Sequence, residues 1–274
     1  MKNMLFAALL SAPVLVSAQE LPQPSPSGRV SQVVGLTNVT INYSRPSVKG
    51  REIFGALVPY GKVWRAGANK CTTFETSGPI LVEGQELAQG IYSLFAIPDE
   101  GAWVIIFNKD TTLWGEGDRK DEADALRVKV RASKLERMVE TFTITLDGVV
   151  DDNARMELQW ANVGVSVSLY ANAVPMAMAN IKAALAKGKM TFGDYNNCAR
   201  FCLDRKVELA NTLTWSEKSV SMERKFWNLH TYARALAANG RMADAVAAAQ
   251  ESFKLAEEAK NDAYMQMNKE KMAE

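Results

Sequence analysis

Residues 163–181 read Val163-Gly-Val-Ser-Val-Ser-Leu-Tyr170-Ala-Asn-Ala-Val-Pro175-Met-Ala-Met-Ala-Asn-Ile181. Up to Leu169 the apolar residues fall on every second position, the spacing of a strand with one wet and one buried face. From Pro175 onward alanine becomes frequent and the apolar residues take a helical spacing. Pro175 suits the first turn of a helix, where a backbone N–H is not needed. One change of period therefore divides the chain into a β part ending near Tyr170 and an α part beginning near Ala171.

Upstream of that point the alternation recurs. Val39, Ile41 and Tyr43 alternate with polar residues, as do Leu126, Val128 and Val130, then Phe142, Ile144 and Leu146, then Met156, Leu158 and Trp160. Two runs differ: Ile91 to Ile97 and Trp103 to Phe107 are apolar on both faces and are joined by Pro98-Asp-Glu-Gly101. A hairpin apolar on both sides must be covered on both sides, and the helices downstream are the expected second cover. With weaker runs near Val30, Cys71 and Ile80, the count reaches about nine or ten short strands, the signature of an antiparallel sandwich. The expected fold is an all-β sandwich, jelly-roll-like and antiparallel, over residues 28–170.

Downstream, the 3.6 period predicts helices over 175–187, 192–203, 206–220, 222–238, 241–259 and 262–273, with Gly188, Gly193 and Asn239-Gly240 as breaks. Lys206-Val-Glu-Leu-Ala210 is echoed by Arg241-Met-Ala-Asp-Ala245, each opening the second helix of a hairpin. That spacing is close to the ~34 residues of a tetratricopeptide repeat. Residues 171–274 are therefore expected to form an all-α tetratricopeptide-like helical domain.

The chain opens with Met1-Lys-Asn3, an apolar run from Met4 to Val16, and Val16-Ser-Ala18 before Gln19. This is the pattern of a secretory signal peptide over 1–18, too short for the ~20 residues of a membrane span. Residues 19–27, rich in Pro and Ser, form a tether. The expected product is exported, periplasmic or secreted, and soluble once the signal is removed. No later stretch reads as transmembrane.

Composition narrows the function. There are 32 Lys and Arg against 31 Asp and Glu, with no basic excess of the kind nucleic acid requires. A single histidine, His230, rules out a multi-histidine zinc site or a histidine-based triad in the first half. Three cysteines make no disulfide framework, and Cys198 and Cys202, one helical turn apart, read as buried packing residues. No cofactor signature and no metal site are present.

Between Tyr43 and Thr73 neither period holds, an unusual length for a plain connection. Its glycines, Gly50, Gly55, Gly61 and Gly67, are interspersed with Arg45, Arg51, Tyr60, Trp64, Arg65 and Asn69. Guanidinium, aromatic and amide groups on such a loop suit a carboxylate, phosphate or sugar. The same arginines serve equally well to tie a long loop down through its carbonyls.

The words Tyr43-Ser-Arg-Pro46, Lys49-Gly-Arg-Glu-Ile-Phe-Gly55, Leu57-Val-Pro-Tyr-Gly-Lys-Val-Trp-Arg65 and Gly67-Ala-Asn69 occur here in order. Gly90-Ile-Tyr-Ser-Leu-Phe-Ala-Ile-Pro98 and Ile106-Phe-Asn108 follow them. Over about residues 27–170 this resembles the bacterial domain-of-unknown-function family 2911, and the helical tail is similar to that of its longer members. The resemblance implies an exported sandwich with no catalytic residues to carry over. The chain departs from it after Trp114-Gly115, where Glu116-Gly-Asp-Arg-Lys-Asp-Glu122 replaces an aromatic-containing segment.

Three functions fit. The first is a non-catalytic binding module holding a glycan or small anion at the 43–73 loop, with helices that dock a protein partner. The second is an assembly factor of the cell envelope whose helical repeats hold a peptide. The third is an envelope hydrolase using paired carboxylates drawn from Glu52, Glu75, Asp110, Glu116 and Asp118. Nothing in their spacing singles out a pair, and the inventory argues against an enzyme.

Overall fold

The computed structural model describes residues 21–273; the signal-peptide reading of residues 1–18 lies outside them. The chain divides into two compact units between Ala171 and Asn172. Among the described residues no helix is long and apolar enough to cross a membrane.

The first unit is a nine-stranded antiparallel sheet: β1 (Ser27–Val34), β2 (Thr37–Ser44), β3 (Thr72–Thr76), β4 (Ile80–Val82), β5 (Gln85–Leu87), β6 (Gly90–Ile97), β7 (Ala102–Asn108), β8 (Asp124–Val150) and β9 (Asn153–Tyr170). The spatial order is β1-β2-β3-β6-β7-β8-β9-β4-β5. β8 belongs to both layers. Its first part pairs with β7, from Asp124 opposite Asn108 to Arg131 opposite Ala102. Its second part pairs with β9, from Ala132 opposite Val165 to Val150 opposite Asn153. The register shifts between Lys134 and Val139 and again before Thr143, so bulges turn the strand from one layer into the other. In the sequence that corner is only a lapse in alternation, which is why the 126–130 and 142–146 runs read as separate strands.

The layers close on each other just past β2. Val48 N donates to the Glu140 carbonyl (2.7 Å) and Phe142 N to the Pro46 carbonyl (2.8 Å). The Tyr43 hydroxyl donates to the Ile144 carbonyl (3.2 Å) and accepts from Ile144 N (3.0 Å). Between the layers lies one continuous core, with Ile41, Phe74, Leu94, Trp103 and Phe107 from one side and Phe142, Ile144, Met156, Trp160 and Val167 from the other.

The doubly apolar hairpin is β6–β7. One face, with Tyr92, Leu94, Trp103, Ile105 and Phe107, joins that core. The other, with Phe95, Ile97, Val104 and Ile106, packs with Val63, Cys71 and Leu113. Its second cover thus comes from the irregular segments of the same unit, and the expectation that helices supply it gives way to that finding. A fragment ending at Ala171 should therefore fold alone and melt cooperatively. A fragment without near-ultraviolet circular dichroism at room temperature, or a first proteolytic cut of the intact chain inside 90–108, would contradict this.

The second unit contains α1 (Val174–Lys187), α2 (Phe192–Arg205), α3 (Leu209–Met222), α4 (Phe226–Ala238), α5 (Met242–Glu258) and α6 (Asp262–Ala273). A capping box, Thr191 with Asp194, starts α2. Lys206 and Glu208 are left-handed (φ 54° and 50°), and Lys206 N–H closes α2 on Cys202 and Leu203. The second helix of that hairpin therefore begins at Leu209 and not at 206. The hairpins α2–α3 and α4–α5 repeat one bond: Ser219 Oγ donates to the Phe192 carbonyl (2.7 Å) and Ser252 Oγ to the Phe226 carbonyl (2.6 Å). Cys198 and Cys202 are free and buried, as is Cys71. Burial pushes the Cys202 thiol up to about 11, which fits packing and not thiolate chemistry.

Candidate functional site

The segment from Arg45 to Cys71 holds no strand or helix, only turns and isolated bridges. Its anchor is Trp64. Beyond the point where β3 pairs with Leu94, Trp64 takes over beside β6: its N donates to the Ala96 carbonyl (2.7 Å), and the Trp64 carbonyl accepts in return from Ala96 N (2.8 Å). The alternation of that pairing drives the indole inward. It stacks on Trp160 (5.8 Å, 17°) and meets Phe142, Phe54 and Trp103 edge-on, while Nε1 donates to the Gly67 carbonyl (3.1 Å). Gly67 has φ 154°, and a Cβ there would crowd the Ser44 carbonyl oxygen at 3.0 Å, so a side chain would be strained at this position.

The six expected site residues part company here. Arg45 runs to β8, donating to the Phe142 carbonyl (3.2 Å) and Thr143 Oγ1 (3.0 Å), and serves as a tether. Tyr60 is exposed and lies over Gly55, away from the others. Arg51, Trp64, Arg65 and Asn69 all line one cavity of about 340 Å³, together with Glu116 and Trp160. These four also hold the loop. Arg51 donates to the carbonyls of Val48 (3.0 Å) and Ser47 (2.6 Å), and Arg65 to that of Asn69 (3.0 Å). Asn69, left-handed at φ 57°, donates to the Ser25 carbonyl (3.2 Å). Tethering and lining are thus done by the same side chains.

Glu116 and Trp160, which also line the cavity, were not among those six. Glu116 accepts from Arg65 Nε (3.2 Å), across a partly exposed pair. Of the five acids considered for hydrolysis, it alone lines the cavity, so no carboxylate pair meets there. Trp160 is 2 % exposed, and its indole Nε1 has no hydrogen-bond partner. A buried indole N–H normally finds an acceptor. In the sequence Trp160 is one more inward residue of an alternating strand, and nothing local marks its N–H as unpaired.

The 109–123 segment closes the rim. Gly115 bonds Cys71 in both directions, N to Sγ (3.3 Å) and Sγ to carbonyl (3.2 Å). The Arg65 guanidinium lies against Gly115, 3.4 Å from where a Cβ would sit. Trp114, next in line, is 73 % exposed.

The helical unit has its own groove of about 410 Å³ lined by Asn196, Asn197, Arg200, Trp227, Asn261 and Tyr264, among others. Asn196 is buried and its Oδ1 is unpartnered. His230 is half-buried on α4 with Nδ1 2.8 Å from Asn268 Oδ1, and burial holds its pKa below the ordinary value.

A family model described as "Protein of unknown function (DUF2911)" matches residues 25–169. No curated protein and no solved structure matches the chain.

Proposed function

The chain belongs to the DUF2911 family, and we propose that it is an exported, non-catalytic binding module whose sandwich holds a small anionic ligand at the 45–71 loop. The observation that supports this reading is the cavity beneath the loop, lined by Arg51, Arg65 and Asn69. A glycan fits less well. Sugars stack on open ring faces, and Trp64 is only 8 % exposed. The polar groove across α2, α4 and α6 supports a protein partner on the helical unit.

Export rests on residues 1–18, and intact mass of the secreted protein should begin at Gln19. A secreted form retaining Met1 would contradict it. Binding is tested by titrating the tryptophan fluorescence with a panel of anions and sugars. Arg65→Ala and Asn69→Ala should each cost only ~1–2 kcal/mol of stability, the worth of a partly exposed hydrogen bond or ion pair, while weakening the bound anion by about tenfold or more. Strong destabilisation in both variants, with no ligand found for the parent, would leave the loop as architecture alone.

A further inference from the structure

Resting on that reading, we infer that the ligand is a small monocarboxylate with an apolar body, which displaces Glu116 from Arg65. The charges that line the cavity are Arg51, Arg65 and Glu116, two cations against one anion. One further negative charge balances the site. A phosphate dianion would leave an excess beside the apolar walls of Pro46, Leu57 and Val58.

Glu116 already shows what Arg65 accepts. Its carboxylate meets Nε through one contact of 3.2 Å, between side chains 27 % and 42 % exposed. A single contact in that setting is weak and leaves the two-bond arrangement of guanidinium and carboxylate unfilled. Arg51, the second cation lining the cavity, is oriented by its bonds to Val48 through Nε and to Ser47 through Nη2. A carboxylate offers two acceptor oxygens and no donor, which suits guanidinium groups.

The test uses the full mature chain labelled with ¹⁵N. The probes are isobutyrate and benzoate, their uncharged primary amides, inorganic phosphate and a neutral disaccharide. The Trp160 indole resonance is assigned by its loss in Trp160→Phe. Both carboxylates should shift that resonance and bind about tenfold tighter than their amides. Glu116→Gln should tighten them severalfold by removing the competing charge. If Trp160→Phe fails to fold, the affinities of the wild type and of Glu116→Gln still decide. Amides binding as tightly as acids, or no gain in Glu116→Gln, would overturn the inference. Arg65-dependent binding of phosphate or sugar alone would overturn it while sparing the binding-module reading. No binding by any probe would remove both.

Discussion

Trp64→Ala should lower the stability of the sandwich unit by ~3–5 kcal/mol, the usual cost of emptying a buried aromatic site. The indole touches Phe54, Trp103, Phe142 and Trp160, which come from the loop and both layers, so no single neighbour can shift to fill the space. Its removal also deprives the Gly67 carbonyl of its donor. At ~2–4 °C per kcal/mol for a unit of this size, the melting temperature should fall by roughly 10 °C. Trp64→Phe keeps most of the ring contact and loses the Nε1 bond alone, so it should cost about 1–2 kcal/mol. Thermal unfolding of both variants measures the difference. A loss below ~1 kcal/mol in Trp64→Ala would mean that the loop is not anchored through this ring.

Arg119→Ala should be the second most damaging change, at ~3 kcal/mol, the lower end for removing one partner of a buried ion pair. The Arg119 side chain is 4 % exposed and Asp124 is 6 % exposed, and the two pair directly. The guanidinium also covers the Phe95 ring at 5.5 Å. The loss stops short of its full range because Asp124 keeps Arg127 Nε (2.6 Å) and Asn108 Nδ2 (2.7 Å). Asp121 adds a pH signature. Hydrogen bonds from Arg119 and then Arg127 hold its carboxyl below the ordinary 3.8. A depressed folded pKa gives stability that is present above 3.8 and lost as pH falls through the folded value. Arg119→Ala should flatten that acid-side loss, visible as a smaller drop in urea midpoint between neutral and acidic buffer. Equal slopes in parent and variant would show that Arg127 alone sets the Asp121 carboxyl.

The loop with its arginines was legible as a candidate site because it interrupts two clear periods. Its division of labour was not. Arg45 and Arg65 are both loop arginines in the sequence, yet one is spent on the Phe142 carbonyl and the other lines the cavity. That outcome depends on where β8 returns after its bulges. Glu116 was visible only as one surface acid among several, since the Trp114 turn that carries it to Arg65 has no periodicity to read.

Sequence alone determined the two units, the change from period two to period 3.6 near Pro175, and all six helices. Each of these follows from burial on one face of a regular backbone, which repeats locally and so leaves a pattern. Tertiary structure alone decided that β8 serves both layers, that the second face of the β6–β7 hairpin is covered by Val63, Cys71 and Leu113, that Trp64 anchors the loop, and that the buried Trp160 keeps an unpaired N–H. These depend on which distant groups arrive at hydrogen-bonding distance, and an unmade bond leaves no mark on the residues nearby in sequence.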